Sequence, residues 1–584
     1  SGEPLIEERK DLPIVIEINE VENMEAVKHD ISKRFNLADS RPIHIALYSG
    51  KEHNYMLFEV HHIIADGASA SVLMNEIDRA YNGEDIEPED YTFYDVTAEE
   101  LRLRAGSEEY EAARLWYEQN FNIGDVDTQI IADRNEKEAA VVHAEYNLNI
   151  DKENIRHLIE STEVKAGTLF TSAFALLMSK FTGDEQVLFS TIWHGRSDKR
   201  MARTMGMFVK TLPVHYAFHR GMTLAELFAH GDKIIKGARK HSVFSYADAN
   251  ASLGIKSNYL FVYQGYLFNN ITIGGYPVTM EDLEESATTE PLSIQIYQER
   301  DGGYRAVVEY FSHLYSEALV AQLIESFEAI LNSMHDGTQS IDELSYITPR
   351  QETLLDSFNA TEREYDATQT VLSYFTKHVT ANPEHLAVVY KDKKYTYKEV
   401  DELSNKIAHR INNYGLGRGD VVAVLIPRSE WMMIASLGVL KAGCGYEPLD
   451  PSYPNERLQF MTKDAGVRMI IADKDLLSAI ELDIENVLFT DDIITLDEPT
   501  ITPNIEVRPD DLFIMLYTSG STGVPKGCML EHRNILSFEL SHTQICGINS
   551  DSRVTAYASY GFDASMMETY SAVVSGATLH IIAE

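Results

Sequence analysis

Cysteine and basic residues are scarce in this chain, and long apolar runs are missing. The three cysteines, Cys444, Cys528 and Cys546, form no Cys-x-x-Cys pair, which excludes a disulfide framework and a cysteine-rich zinc site and favours a reducing, cytoplasmic location. Neither a signal-peptide pattern nor an apolar run of membrane-spanning length is visible. Lysine and arginine total 50 against 91 aspartates and glutamates, a net charge of -41, which argues against a nucleic-acid partner and an anionic membrane surface.

Both ends of the sequence predict an internal piece of a longer protein. The chain starts at Ser1, and its first methionine is Met24. It stops just after residues 577–582, an apolar stretch that predicts a strand. We expect a domain that ended there to leave this strand without its following partner.

Two adjacent histidines, His61 and His62, stand where a strand-like apolar stretch gives way to a helical repeat. Asp66 and Gly67 follow, a carboxylate and a residue that permits a tight turn. If the pair remains extended, one imidazole can enter a cavity while the other packs behind it. Histidine can accept and return a proton near neutral pH. The spacing therefore indicates acid–base chemistry; the alternative is a pair of histidines satisfied in a core.

The rest of the chain alternates between strand and helix patterns, without an internal repeat. Polar residues around 345–370 predict a domain boundary, beyond which the pattern is typical of α/β units on a mostly parallel sheet. We predict strands at 14–18, 44–48, 55–60, 187–192, 259–264, 305–310, 386–390 and 421–426. We predict helices at 24–34, 70–81, 98–120, 168–181, 316–334 and 397–414.

A second chemical stretch directly follows a predicted strand at 513–515. Its glycines allow backbone amides to converge on an anion, its hydroxyls add donors, and Lys526 adds a positive charge. Phosphate binding is the natural interpretation, and a flexible serine–glycine linker is the alternative. It is not a Walker A loop, because Pro525 rather than glycine precedes Lys526. The candidate phosphate-binding residues are Thr518, Ser519, Gly520, Ser521, Thr522, Gly523, Lys526 and Gly527.

The second half of the chain resembles the adenylation domains of nonribosomal peptide synthetases, which are members of the adenylate-forming superfamily. The resemblance covers four motifs in order, at residues 395–400, 440–451, 518–527 and 562–565. It implies that Asp563 pairs with the α-amino group of the substrate and that Ala564 and Met567 line the side-chain pocket. Ordinary helix capping is the alternative role for Asp563.

The first half resembles the condensation domains of the same synthetases, which are related to chloramphenicol acetyltransferase. The matches are residues 61–67, Gly195-Arg196 and residues 205–213, in family order. The resemblance implies that His62 faces the reaction centre between two carrier-bound thioesters, as a base or a positioning group, and that His61 and Asp66 hold the turn. We predict that Asp66 pairs with Arg196; a solvated surface arginine is the alternative.

These resemblances imply an α/β protein with two parts. We expect a chloramphenicol-acetyltransferase-like two-lobed condensation domain at 1–345, lacking its N-terminal part, a linker at 346–365, and the N-terminal portion of an adenylate-forming α/β domain at 366–584. ATP and Mg²⁺ are the implied cofactors, and 4′-phosphopantetheine would arrive on carrier domains outside this chain. The implied partners are upstream and downstream carrier domains with their amino-acid and peptidyl thioesters, with no nucleic acid and no membrane.

The implied function is peptide-bond formation followed by ATP-dependent amino-acid activation, and we expect the second activity to be incomplete in this chain. One rival is an acyl-CoA-type ligase fused to an acyltransferase, which Asp563 opposes because fatty and aryl acids have no α-amine. Another rival is a catalytically silent scaffold that docks carrier domains, which the intact His62 and Lys526 oppose.

Overall fold

The protein is described by a computed structural model that covers residues 16–21, 35, 37, 41–121, 128–266, 271–279, 288–518 and 525–583. The chain forms two compact units, Ser1–Asn359 and Ala360–Glu584. The division between them falls inside the predicted linker at 346–365. The predicted helix at 24–34 lies outside the described residues.

The first unit is a mixed α/β structure. Its strands are β1 (Ile16–Glu20), β2 (Ile43–Ser49), β3 (Asn54–Val60), β4 (Val141–Leu148), β5 (Gln186–Trp193), β6 (Lys210–Ala217), β7 (Tyr259–Gly265), β8 (Thr272–Ile273), β9 (Tyr276–Pro277), β10 (Leu292–Gln298) and β11 (Tyr304–Phe311). Its helices are α1 (Gly67–Tyr81), α2 (Phe93–Arg104), α3 (Glu108–Asn120), α4 (Lys152–Thr162), α5 (Ala166–Thr182), α6 (Leu224–Lys240), α7 (Tyr246–Leu253), α8 (Glu317–Ser333) and α9 (Pro349–Asn359).

Two sheets bring the site residues of this unit together. One has three strands in the order β1-β2-β3, and the other has six in the order β4-β11-β10-β7-β5-β6. The strand β3 ends immediately before His61. β5 and β6 are antiparallel, with Trp193 opposite Lys210, so the connection between them starts and finishes at the same edge. Residues 194–209 therefore form one long loop, with a short 3-10 helix at Lys199–Arg203, whose two ends lie side by side.

Helix α5 is the centre of the core of the first unit because it is apolar on every side. All residues from Thr168 to Met178 are buried. Phe174 stacks on Phe261 of β7 with ring centroids 4.6 Å apart, and Phe170 packs near Phe327 of α8. A helix without a polar face must be covered all round, and the six-stranded sheet and α8 enclose this one.

The prediction of a single helix at 98–120 is wrong. The chain breaks after Arg104, where Gly106 adopts a left-handed φ of 96°, and a new helix begins at Glu108. Ser107 caps that second helix by accepting a hydrogen bond from the Tyr110 amide at 3.1 Å. The helical repeat of apolar residues continues across the break, so periodicity does not reveal it. The pair Gly106-Ser107 is the stronger local signal, because it favours the end of one helix and the capped start of the next.

The second unit is also α/β. Its strands are β12 (Leu386–Tyr390), β13 (Lys393–Thr396), β14 (Val421–Leu425), β15 (Gly445–Pro448), β16 (Met469–Ala472), β17 (Asn486–Phe489), β18 (Leu512–Thr518), β19 (Lys526–Glu531), β20 (Arg553–Ala556) and β21 (Thr578–Ile581). Its helices are α10 (Val371–Ala381), α11 (Tyr397–Asn413), α12 (Trp431–Lys441), α13 (Asn455–Asp464), α14 (Lys474–Ser478), α15 (Thr490–Ile493), α16 (His532–Cys546) and α17 (Ala564–Ser575).

The two larger sheets of this unit are mostly parallel, as predicted. Their strand orders are β17-β16-β14-β15-β18-β19 and β13-β12-β21-β20, and only β19 and β13 run antiparallel to their neighbours. The expectation that the strand at 577–582 lacks a partner is wrong, because β21 pairs with β12 on one side and β20 on the other. None of the helices in the described part of the chain combines the length and the apolar character needed to cross a membrane.

Candidate active sites

The histidine pair lies at the end of β3, but it is not extended. Residues 62–64 form a turn, closed by a hydrogen bond from the Ile64 amide to the His61 carbonyl at 3.1 Å. His61 Nδ1 accepts a hydrogen bond from the Ile63 amide at 3.1 Å, so its half-buried ring stabilises the turn. His62 is exposed. The two imidazoles are therefore separated by this turn, and not by the alternation of side chains along an extended strand.

Asp66 fixes this turn from the other side. It caps α1 by accepting from the Ser69 amide at 2.8 Å, and it accepts from Arg196 Nη1 and the Phe208 amide, both at 3.0 Å. The Asp66 side chain is fully buried and that of Arg196 is 9% exposed, so Arg196 is not the solvated surface residue of the alternative interpretation. Gly67 begins α1 directly after the cap.

The buried pair stays charged because its hydrogen bonds outweigh its desolvation. Burial alone would raise the pKa of Asp66, but the Arg196 guanidinium and the amides of Phe208 and Ser69 lower that pKa below its usual value. The Arg196 guanidinium also stacks 4.9 Å from the centre of the Phe208 ring. The ion pair thus joins the turn after β3 to the loop between β5 and β6.

Ser69 is a site residue that the sequence interpretation missed. Its hydroxyl lies 2.9 Å from Asp66 Oδ1, 2.9 Å from Arg196 Nη2 and 2.8 Å from the Gly206 carbonyl oxygen. It is fully buried. The only local signal is its place three residues after the capping aspartate, where a polar side chain can return to the cap; its contact with Gly206 is not visible from spacing.

Gly195 lies where the two ends of the loop between β5 and β6 come into contact. Its φ is 70°, and a Cβ added there would lie 1.8 Å from the Phe208 carbonyl oxygen. Only glycine satisfies both the backbone angle and this contact. In the Gly195-Arg196 match, the glycine is required by the backbone and the arginine is the cation of the buried ion pair.

The candidate phosphate loop joins two antiparallel strands. Thr518 is the last residue of β18 and Lys526 the first of β19, and the two lie opposite each other. Both are exposed, as is Gly527. A Cβ on Gly527 would approach the Tyr517 ring to 3.2 Å. The strand is longer than predicted and includes Thr518, while Ser519, Gly520, Ser521, Thr522 and Gly523 lie outside the described residues.

Asp563 caps α17, as the alternative interpretation predicted, and its carboxylate is also exposed. Oδ1 accepts from the Ala564 amide at 2.8 Å, while the side chain as a whole faces solvent. Ala564 and Met567 are half-buried on the same helix. A capping contact of this kind leaves acceptor capacity on the carboxylate, so capping and amine binding are compatible.

The other motifs of the second unit support this region. Ser559 donates a hydrogen bond to Asp450, which connects the motif at 440–451 to the segment just before the motif at 562–565. Tyr397 donates to the Ala577 carbonyl at 2.8 Å. The buried Lys441 ammonium donates to Asp401 at 2.7 Å. Residues of these motifs therefore stabilise the sheet and the position of α17 through hydrogen bonds.

Comparison with known families accounts for this arrangement. Residues 5–355 match the condensation-domain family, and residues 375–584 match the family of AMP-binding enzymes. The chain therefore belongs to the nonribosomal peptide synthetase family, with a condensation domain followed by an AMP-binding domain.

The chain is similar to several multidomain synthetases. It is 26% identical to tyrocidine synthase 2 of Brevibacillus parabrevis and to surfactin synthase subunit 1 of Bacillus subtilis (strain 168), over 96% of this chain and 16% of each relative. The chain thus spans about a sixth of these relatives.

Solved structures share the fold. A four-domain nonribosomal peptide synthetase bound to AMP and glycine superposes with a TM-score of 0.74 at 18% identity, over 98% of this chain and 45% of that one. The AMPPNP-bound form of the synthetase FmoA3 gives 0.71 at 17% identity, over 97% and 62%. At these identities the likeness concerns the fold alone.

Proposed function

We propose that the chain takes part in two successive steps of peptide synthesis. In the first unit, the amine of a carrier-bound aminoacyl thioester attacks the carbonyl of an upstream carrier-bound thioester; an amide forms and the upstream carrier thiol leaves. In the second unit, the carboxylate of an amino acid attacks the α-phosphate of ATP; an aminoacyl-adenylate forms and pyrophosphate leaves. The carrier domains and their thioesters are partners from outside this chain.

The observation that carries the condensation half is the fixed and exposed position of His62. His61 and Asp66 hold the turn on either side of it through the Ile63 amide and Arg196. An imidazole held in this way can accept the proton of the attacking amine or orient that amine, and general-base catalysis is worth about 10²–10⁴-fold. Arg196 and Asp66 neutralise each other, so we assign them a structural role.

A condensation assay with loaded carrier domains tests His62. We expect His62→Ala to lower the rate of product formation by about 100-fold or more if the imidazole is a base. His53→Ala is the matched control, because His53 is exposed in the turn at the opposite end of β3. Equal rates for His62→Ala and wild type would remove His62 from the mechanism.

The adenylation half rests on the pairing of Thr518 with Lys526 across the base of the loop. This register places a hydroxyl donor and an ammonium at the same end of the β18–β19 pair, a suitable environment for phosphate oxygens. We propose that Thr518, Lys526 and the loop from Ser519 to Gly523 hold the ATP phosphates. Asp563 would hold the α-amine of the amino acid, with Ala564 and Met567 beside its side chain.

Mg²⁺ would neutralise the phosphate charge during this step. Within the described residues, no group of three or more His, Cys, Asp or Glu side chains could hold a metal ion by itself. We therefore propose that the cation is bound mainly by the phosphates of the nucleotide.

Pyrophosphate exchange in the full-length protein tests the second half. We expect exchange with amino acids but not with fatty or aryl acids, and a loss of about 100-fold or more for Lys526→Ala. Lys463→Ala, a change at an exposed lysine of α13 outside the four motifs, should behave like wild type. Exchange with fatty acids alone would favour the acyl-CoA-type ligase, and no exchange or condensation would favour a silent scaffold.

The cellular location remains a prediction. Cys444, Cys528 and Cys546 are free thiols in the structure, which suits the reducing, cytoplasmic environment proposed from the sequence.

A further inference from the structure

Tyr517, the residue directly before Thr518 in β18, is attached to helix α13. The residue is only 6% exposed, and its hydroxyl donates a hydrogen bond to Asp464 Oδ2 at 2.8 Å. The same hydroxyl lies 3.2 Å from the Met461 carbonyl oxygen, and the ring packs edge-on against Phe460. A hydroxyl that donates to a carboxylate makes a stronger contact than one between neutral groups. The end of β18 is therefore held against the last turn of α13.

The Tyr517 side chain also contacts the opposite strand. Gly527 of β19 lies opposite Tyr517 in the antiparallel pair, and a Cβ on this glycine would lie 3.2 Å from the Tyr517 ring and 3.3 Å from its hydroxyl oxygen. Because glycine has no side chain, the ring can lie close to the backbone of β19. One side chain therefore contacts both strands that end at the candidate phosphate site, β18 at Thr518 and β19 at Lys526.

The chain just before α13 contacts the candidate amino-acid site. Asp450 accepts a hydrogen bond from Ser559, which lies four residues before Asp563. Gly561 packs beside Tyr453, since a Cβ on that glycine would lie 3.2 Å from the Tyr453 hydroxyl oxygen. These contacts hold the backbone that leads into the cap of α17.

The Asp450 carboxylate is a strong acceptor because it is charged and held in place. Its Oδ1 accepts from the Ser452 amide at 2.9 Å and from the Ser452 hydroxyl at 2.7 Å, while Oδ2 accepts from Ser559. Burial raises the pKa of Asp450, but the hydrogen bonds from Ser559 and Ser452 and the nearby Arg428 lower that pKa below its usual value. Residues 450–464 thus have a charge-assisted contact at each end.

We propose that residues 450–464, the bridging segment, set the distance between the phosphate site and the amino-acid site, with Tyr517 and Ser559 as positioning residues at its two ends. The inference rests on the proposed adenylation function. Neither residue has to touch a substrate. For the amino-acid carboxylate to attack the α-phosphate, the two reacting atoms must approach to about 3–3.5 Å. A segment attached to both sites, with α13 as its regular part, can hold them at that separation.

The two attachments should affect different substrates. Without the Tyr517 hydroxyl, the strand ends at Thr518 and Lys526 lose their contact with α13, so ATP binding should weaken. Without the Ser559 hydroxyl, the backbone leading to Asp563 loses its contact with the bridging segment, so amino-acid binding should weaken. A purely structural role would lower stability without separating the two Michaelis constants.

Core packing is the alternative role for Tyr517, and Tyr517→Phe tests it because the ring stays in place. Asp464 is exposed, so water can replace the lost hydroxyl. The Met461 carbonyl keeps its hydrogen bond from the Ala465 amide at 2.9 Å. Both acceptors therefore retain a partner, and the Tm should change little.

The first test is pyrophosphate exchange in the full-length protein, with the KM for ATP and the KM for the amino acid measured separately. The amino acid is the one that gives the highest exchange rate in a panel. We expect Tyr517→Phe to raise the KM for ATP by about tenfold and to leave the KM for the amino acid within about twofold of wild type. Asp464→Ala should have the same effect, and Asp464→Asn should largely restore the wild-type value because an amide oxygen still accepts from Tyr517.

Two controls separate this effect from a general loss of order. Tyr397→Phe also removes a buried tyrosine hydroxyl that donates a hydrogen bond, in this case to the Ala577 carbonyl at 2.8 Å, and it should lower the Tm without raising the KM for ATP. Lys463→Ala changes the exposed neighbour of Asp464 on α13 and should leave both constants unchanged.

The second test applies the same assay to Ser559→Ala. We expect the KM for the amino acid to rise by about tenfold while the KM for ATP stays within about twofold of wild type. Ser575→Ala is the matched control, because Ser575 lies on α17 and its hydroxyl donates to the Ser571 carbonyl of the same helix at 2.6 Å. Both constants should keep their wild-type values in this control.

The outcomes separate the two proposals. If Tyr517→Phe and Asp464→Ala lower the Tm and leave both Michaelis constants unchanged, or change both equally, the bridging segment has only a structural role and adenylation stands. A Ser559→Ala variant with the same two constants as Ser575→Ala would also overturn the inference. Absence of exchange by the wild-type protein with any amino acid would overturn both proposals.

Discussion

Arg196 Nη1 lies 3.0 Å from Asp66 Oδ2, and this contact joins the turn after β3 to the connection between β5 and β6. Both side chains are buried, so the pair is not screened by solvent. A buried pair contributes little net stability compared with apolar residues, but removal of one member is costly because the other charge is left uncompensated.

Arg196→Leu should therefore destabilise the first unit by about 3–5 kcal/mol. Calorimetric unfolding of the chain measures the change. The double variant Arg196→Leu, Asp66→Asn should lose much less than the sum of the two single changes, because no unpaired charge remains. Additive losses would show that the two residues do not act as a pair.

Ser69→Ala should destabilise the same unit by about 1–3 kcal/mol, because it removes the buried hydroxyl that accepts a hydrogen bond from Arg196 Nη2 and lies 2.8 Å from the Gly206 carbonyl oxygen. Ser71→Ala, on the same helix but outside this network, is the control and should change stability by less than about 0.5 kcal/mol. If both substitutions have the same effect, the Ser69 hydroxyl does not hold the loop in place.

Gly195→Ala should prevent the loop between β5 and β6 from adopting its native position. The new Cβ would collide with the Phe208 carbonyl oxygen, so we expect a loss of several kcal/mol and weak condensation activity. Gly183→Ala is the control. Gly183 has a similar φ of 77° but no atom of the described residues within 4 Å of an added Cβ, and its substitution should cost only about 1 kcal/mol. Unfolding midpoints that fall equally for both would show that the collision is relieved.

The stability of the second unit should depend on pH through Glu539, a fully buried carboxyl group on α16. Because burial raises the folded pKa to about 9, the native state retains a proton that the unfolded chain releases above its ordinary pKa of about 4.3. Stability therefore falls as pH rises between these values, by up to about 1.4 kcal/mol per pH unit. Thermal unfolding from pH 5.5 to 8.5 should show a growing advantage for Glu539→Gln over wild type, and parallel curves would contradict the raised pKa.

Local patterns predicted most elements because their signals lie within a few residues. The apolar helix at 168–181 and the strand at 187–192 are present as α5 and β5, each slightly longer. The prediction of one helix at 98–120 was wrong because periodicity does not detect a short capped break such as Gly106-Ser107. The expectation about the pairing of β21 was wrong for another reason. The partners of this strand are set by the topology of the sheet, which the sequence near residue 580 does not contain.

The candidate sites show the same difference between what the sequence reveals and what depends on long-range contacts. The pair of Asp66 and Arg196 followed from a family resemblance, and the structure confirms the contact. The contacts of Ser69 and of the Phe208 amide depend on residues more than 130 positions apart, which no local rule connects. Glu539 could have been noticed, since it interrupts the apolar face of a predictable helix, but its complete burial is visible only in three dimensions.

The position of β21 has a consequence for synthesis of the chain. Thr578 donates a side-chain hydrogen bond to the Leu386 carbonyl at 2.8 Å, a contact between residues 192 positions apart. While the ribosome is still adding those residues, β12 has β13 on one side and an open edge on the other. An open strand edge is a template for pairing with other chains, and such long-range contacts form slowly. The nascent second unit is therefore most exposed to aggregation until residue 581 has left the ribosome.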